Sequence, residues 1–414
     1  MRHLLRFLLF CILLIPTYTV IGSALGAGKA HLPGDGQSVE GALQSVSYQA
    51  LVDLDRPAIG NYGIYLPLVS VQHAGRIAPN PILSRGKPTF SPMGSVPGLV
   101  DGLYGDHAAW PVGYPTPQDP TWVAIKIGGG YSRVLLTWSS TFNYDYNATS
   151  YGVPSSYLVQ TSADSTNGAD GTWTTVVSVT GNYVRTREHS LDFTGRSWVR
   201  MLITGLSPNT SVGSAIIDEI EVYDLSMGGQ DTWFFMGDSI TAEAFDRRTI
   251  HQPSFASWVY TLNSSYFPAM VDGGIGFETA ASGLSHIDAW LQMNPDMHFW
   301  ALGYGTNDSQ GNLSDPTSFR ANMQALIDKI KAAGHVPVLA KIPYATDGDH
   351  NYIPAFNRAI DELTAANGLK PGPDLYAWFR ANPQELRADG LHPNDIGAQS
   401  INRLWAEAMS DLYR

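Results

Sequence analysis

The sequence predicts a multidomain protein: an all-β sandwich followed by an α/β unit built on a parallel sheet. Three observations carry that prediction. The 414 residues exceed the ~250–300 that one hydrophobic core organises. From Val46 to Asp224, branched and aromatic residues fall in short runs between turn clusters, with no helical period. Beyond residue 230, continuous apolar runs alternate with helical periodicity, as strands buried on both faces and covered by helices require. With 44% hydrophobic and 15% charged residues, 41 glycines and 26 prolines, the composition is that of a folded chain rich in turns.

The chain opens with Arg2, His3 and Arg6, an apolar run Phe7–Ile15, and small residues at Gly22, Ser23, Ala24 and Gly26. That order predicts a secretory signal peptide over residues 1–26 and a secreted or periplasmic location. The run is interrupted by Pro16 and falls short of the ~20 residues a membrane helix needs, so no span is expected after cleavage. The single cysteine, Cys11, leaves with this segment. Residues 27–75 are expected to form an extension packing on the β domain.

The sandwich is placed at 76–225. Its strands are expected at Trp122–Ile127, Arg133–Trp138, Tyr157–Thr161, Thr174–Val179, Trp198–Ile203 and Ala215–Val222, with 79–120 mostly loop. Residues 226–230 (Ser-Met-Gly-Gly-Gln) read as a linker to the α/β domain, 231–414. There, Thr232–Met236, Met270-Val271, Met297–Leu302 and Val336–Ala340 read as strands. The clearest helix follows Ser314-Asp-Pro316, with Pro at its first position. Phe319, Met323, Leu326 and Ile330 fall on one face, and Gly334 closes it.

With 37 acidic against 25 basic residues, a net charge of −12 argues against a nucleic-acid partner. No histidines stand at metal-ligand spacing, so neither a metal nor a cofactor is expected.

Four segments of the second half carry chemistry: Gly237-Asp-Ser-Ile240, Asp272-Gly-Gly-Ile-Gly-Phe277, Gly305-Thr-Asn-Asp308 and Asp389-Gly-Leu-His-Pro393. Three come after strands and the fourth precedes the last helix. Open α/β sheets gather their active sites at that carboxyl edge. A serine at a strand-to-helix turn, a histidine base and an aspartate three residues before it suit acyl transfer. Glycine-turn N–H groups and an Asn amide suit an oxyanion.

In order and spacing these segments resemble the blocks of the SGNH (GDSL-type) hydrolases, over about 231–414. The resemblance implies a flavodoxin-like α/β/α fold and a carboxylic ester hydrolase. It also implies Ser239 as nucleophile, His392 as base and Asp389 as its orienting partner. The oxyanion hole would combine the Ser239 N–H, a glycine-turn N–H and the Asn307 side chain. Two departures stand out. Asp272 replaces the family's usual Asn, and that alignment puts Phe277 where the oxyanion glycine often sits. The turn donor is then Gly276 or Phe277, and glycine's conformational freedom favours Gly276.

The region from about 85 to 224 resembles, more loosely, discoidin-like and galactose-binding jelly-roll modules. It does so through Val100-Asp-Gly-Leu-Tyr-Gly105, Trp122–Gly128, Arg196–Arg200 and Ile217–Tyr223. That implies a sandwich whose loops bind glycans. Tyr104, Trp110 and Tyr114 could stack on sugar rings or simply pack the loop. The expectation is a secreted serine esterase removing acyl groups, acetyl first among them, from a carbohydrate. A lipase or lysophospholipase, an acyltransferase, and a non-catalytic glycan-binding protein are the alternatives.

Overall fold

The computed structural model describes residues 77–102, 110–140, 153–206, 216–245 and 254–414. The signal segment, the 27–75 extension and Tyr104 lie outside the described residues.

The first half folds into two antiparallel sheets. Strands β1 (Thr89–Phe90), β2 (Trp110–Pro111), β3 (Thr121–Lys126), β4 (Arg133–Ser140), β5 (Pro154–Ser162), β6 (Trp173–Val179), β7 (Thr186–Asp192), β8 (Trp198–Leu206) and β9 (Ile216–Asp224) order as β1-β3-β8-β5-β6 and β2-β9-β4-β7. Alternation fills the space between them: Val123 and Ile125 from β3, Val199 and Met201 from β8, and Leu136 and Trp138 from β4 share one core. Trp110 is fully buried in that core, so of its two readings it is the packing one that holds; Tyr114 stays 71% exposed.

On the outer face of the larger sheet, the Arg200 guanidinium lies 4.0 Å over the Trp173 ring and donates to Gln160 Oε1 and Gly168 O. Gly168, at φ +81°, packs so closely that a Cβ would meet Ala124, Phe90 and Trp122 at 2.9–3.1 Å. The 163–172 segment is therefore strapped onto these aromatics by its own sequence.

The second half is a parallel sheet. Its strands are β10 (Thr232–Gly237), β11 (Ala269–Gly274), β12 (Phe299–Gly303) and β13 (Val336–Leu339), ordered β11-β10-β12-β13. This is the flavodoxin-like order, with a single bridge, Leu339 to Pro371, at the position of a fifth strand. Helices α1 (Ser239–Phe245), α2 (Phe255–Leu262), α3 (Ala280–Met293), α4 (Thr317–Ala332), α5 (Ile353–Ala366), α6 (Leu375–Ala381) and α7 (Asp395–Ala408) cover it. Successive β10 residues explain the two layers. Trp233 and Phe235 join Phe255, Val259, Ile401 and Trp405 on one face. Phe234 and Met236 join Ile287, Met323, Leu326 and Phe356 on the other.

Helix α4 begins one residue later than its sequence predicts. Pro316 occupies the cap position, and the Asp315 carboxylate accepts the Thr317 N–H at 3.0 Å. Gly334 ends that helix at φ +86°.

The two halves meet in one apolar cluster. Leu135, Val184, Tyr223 and Leu225 of the sandwich pack with Phe234, Trp290 and Trp300 of the α/β half. Polar ties surround the seam. The Glu188 carboxylate accepts the Asp296 N–H at 2.8 Å, the Glu188 N–H donates to Asn294 Oδ1, and Arg133 pairs with Asp296 at 2.6 Å. No helix among the described residues is long and apolar enough to cross a membrane.

Candidate active site

The ends of β10, β11 and β12 converge on one point at the carboxyl edge of the parallel sheet. Strand β10 stops at Gly237, where a Cβ would meet Thr241 Oγ1 at 2.2 Å and Gly303 O at 2.7 Å, so only glycine lets β10, β12 and α1 close together. Asp238 comes next, wholly buried, accepting the Ile240 N–H at 2.9 Å. Ser239 is the first residue of α1.

The serine meets the last segment. Ser239 Oγ and His392 Nε2 are 2.9 Å apart, and His392 Nδ1 and Asp389 Oδ2 are 2.8 Å apart. Asp389 Oδ1 accepts the Leu391 and His392 N–H groups at 2.9 and 3.0 Å. Burial raises the Asp389 carboxyl, but hydrogen bonds from Leu391 N–H, the His392 ring and His392 N–H outweigh it and hold the group below its ordinary value. It therefore stays ionised beside the imidazole.

The 387–392 loop is held from several sides. Arg387 N–H donates to His392 O, Thr346 N–H donates to Gly390 O at 2.7 Å, and Arg387 pairs with Glu243 of α1. Asn394 then caps α7 through the Ile396 and Gly397 N–H groups.

The glycine segment makes a turn from Ile275 to Glu278, closed by Glu278 N–H to Ile275 O at 3.3 Å. The left-handed position in it is Phe277, at φ +64°, while Gly276 has no positive φ. The freedom that favoured Gly276 as donor is thus used one residue later, by a phenylalanine. That conformation costs a non-glycine residue about 1–2 kcal/mol, and the Phe277 ring is 81% exposed. A bulky side chain held in this way marks a constrained site.

Three residues beyond β12 clasp this turn and the helix after it. Asn307 Nδ2 donates to Glu278 O at 2.8 Å, and Tyr304 donates to Glu278 Oε2 at 3.1 Å. Asp308 accepts the Ala280 N–H with both oxygens, at 3.2 and 3.0 Å, at the start of α3. Sequence reasoning did not single out Glu278 or Tyr304. Neither stands in a spacing that signals a role; only the fold brings them together.

Burial pushes the carboxyls of Asp238 and Glu278 up to about 7 and that of Asp308 to about 6. It does the same to Asp231, to about 7, and to Glu188, to about 8. Folding therefore favours their protonated forms. The stability they contribute is complete below about pH 4 and is lost as pH rises through these values. Buried His189 and His286, depressed to about 3 and about 4, and His298 and His335, also depressed by burial, oppose that trend until unfolded histidine has lost its proton by about pH 7.5. Between about pH 6.5 and 8.5 the carboxyls outweigh the histidines, so the melting temperature is expected to fall across that range. A flat or rising melting curve, measured by circular dichroism, would contradict these assignments.

Among the described residues no group of three or more His, Cys, Asp or Glu side chains could hold a metal ion.

Residues 235–399 match the GDSL-like Lipase/Acylhydrolase family. No curated protein sequence matches the chain. Similar solved structures include a lipase/acylhydrolase from Enterococcus faecalis, at 23% identity over 44% of this chain and 95% of that one, with a TM-score of 0.38. An acetylxylan esterase from Geobacillus stearothermophilus is 16% identical over 43% of this chain and 93% of that one, with a TM-score of 0.35. A protein from Bacillus subtilis is 14% identical and covers 70% of this chain and 80% of its own, with a TM-score of 0.39.

Proposed function

We propose, from the premise that residues 235–399 are a GDSL-like lipase/acylhydrolase domain and the chain a carboxylic ester hydrolase, that cleavage runs through Ser239, His392 and Asp389. The observation that carries this reading is the pair of hydrogen bonds, 2.9 and 2.8 Å, linking Ser239 Oγ through the His392 ring to Asp389.

In this reading Ser239 Oγ attacks the ester carbonyl carbon and its proton passes to His392 Nε2. Asp389 holds the ring and balances the cation. The tetrahedral oxyanion is received by the Ser239 N–H, the Asn307 amide and an N–H of the 275–278 turn, where the left-handed Phe277 is now preferred to Gly276. His392 returns the proton to the leaving alcohol. Water, deprotonated by the same nitrogen, then releases the acid from Ser239.

The substrate class rests on the fused sandwich and the N-terminal segment: an exported enzyme removing acetyl groups from a carbohydrate that the sandwich holds nearby. One observation favours longer acyl chains instead. Phe277 in the glycine turn, Leu313 just after the Gly305–Asp308 segment and Ile396 just after the Asp389–Pro393 segment are 58–81% exposed.

Acetate release from acetylated polysaccharides and peptidoglycan, together with p-nitrophenyl esters of two to twelve carbons, separates these readings. Peak turnover at two carbons with acetate released from a polysaccharide is expected. A peak at eight carbons or more would move the assignment to a lipase.

A further inference from the structure

The sandwich contributes a side chain to the catalytic half. Arg185 stands just before β7, and its own carbonyl is fixed to β4 by the Ser140 N–H at 2.8 Å and the Ser140 hydroxyl at 3.2 Å. From that anchor its Nη2 reaches Asp272 Oδ2 at 2.8 Å and Gly274 O at 3.0 Å, with both side chains of the pair at least nine-tenths buried. Asp272 Oδ1 accepts the Gly274 N–H at 2.8 Å, so the last residue of β11 is held at both its N–H and its carbonyl.

The active site begins at the next residue. Ile275 N–H donates to Gly237 O at 2.9 Å, two residues before Ser239. The turn carrying Gly276 and Phe277 springs from Ile275. Gly274 lies against α1, where a Cβ would meet Ala242 N at 2.2 Å. A shift of Gly274 is therefore passed directly to the spacing between the nucleophile and the turn.

We infer that Arg185 is a positioning residue for the oxyanion turn, acting through Asp272 and Gly274. The sandwich is then part of the catalytic device in addition to any role in holding substrate. The inference rests on the esterase reading above. It also accounts for Asp at 272, since an Asn there could accept the Gly274 N–H but could not pair with an arginine. Donors that must meet a developing charge tolerate little displacement, and an error of about 1 Å costs on the order of 10²-fold.

The test compares Arg185→Met, Asp272→Asn and the double variant in the full chain, with Ser239→Ala alongside. Turnover of p-nitrophenyl acetate is divided by the sites titrated in the acylation burst, so loss of folded protein does not register. Arg185→Met is expected to lower kcat per titrated site at least tenfold, with KM changed less than about twofold. Inhibition by a small boronic acid, which forms a tetrahedral anion on the serine, should weaken in parallel. The double variant, which leaves no carboxylate unpaired but still lacks the arginine that holds Gly274 O, should stay impaired; recovery to the parent kcat per site would trace the loss to the unpaired carboxylate and overturn the inference.

Unchanged kcat per site and unchanged boronate affinity in Arg185→Met would overturn the inference, whatever happens to the melting temperature. Should that variant not fold, Arg185→Gln gives the same readings: it is too short to hold either oxygen and carries no charge, and unchanged values there would likewise overturn it. Activity retained by Ser239→Ala would instead remove the esterase reading itself.

Discussion

Ser239→Ala is expected to abolish ester hydrolysis, lowering kcat by at least about 10⁴-fold while the fold survives. The size of the effect comes from the chemistry. In the proposed mechanism the Oγ at 2.9 Å from His392 Nε2 is the atom that forms the covalent bond, and alanine offers no nucleophile in its place. The structural cost is small, because Ser239 opens α1 and alanine is a strong helix former. The site keeps its oxyanion donors, so ester binding should persist and the residual rate should be that of water attack. Steady-state turnover of p-nitrophenyl acetate with circular dichroism of the same sample checks this. Turnover within tenfold of the parent would remove Ser239 from the mechanism.

The second large effect is expected at Asn307. One N–H of its amide is committed to Glu278 O at 2.8 Å, which fixes the plane of the amide; in the proposed mechanism the second N–H donates to the oxyanion. A donor held in this way needs no reorganisation when charge develops on the substrate. Asn307→Ala is therefore expected to lower kcat by roughly 10²–10³-fold with little change in KM, because the interaction strengthens in the transition state. Asn307→Asp should be at least as damaging, since it turns an acceptor toward both the Glu278 carbonyl and the oxyanion. Saturation kinetics of both variants decide the point. A rise in KM at constant kcat would make Asn307 a ground-state contact.

What could be read in the sequence and what could not have separate physical causes. The parallel sheet and the buried β10 and β12 were legible because strands covered on both faces have to be continuously apolar, as Trp233–Met236 and Phe299–Leu302 are. Helix α4 announced itself by spacing and by Gly334. The segments around Ser239 and Asn307 were legible because their glycines and polar residues sit where strands end, and that around His392 because it leads into the last helix.

Strand β7 was not. Its sequence, Thr-Arg-Glu-His-Ser-Leu-Asp, has no apolar alternation, because Glu188 is spent on Asp296 and His189 on the Tyr157 hydroxyl at 2.7 Å, both across long sequence separations. Arg185 was invisible for the same reason, as its partners lie 87 and 89 residues away. Trp110 stayed open between stacking on sugar and packing its loop because its neighbours are loop-like, and a two-residue pairing with β9 accompanies its burial. The left-handed Phe277 runs against the preference for glycine at such positions. Only backbone coordinates reveal it.

The most direct test of the account is to trap the covalent intermediate. A fluorophosphonate ester reacts with an activated serine in the geometry of ester attack and leaves a stable adduct. Intact-mass and peptide analysis should show one equivalent on the peptide carrying Ser239, in step with loss of hydrolysis. The adduct should be absent from His392→Ala, where no base takes the Oγ proton. A label on another residue, or full hydrolysis by protein whose Ser239 is unmodified after treatment, would contradict the account.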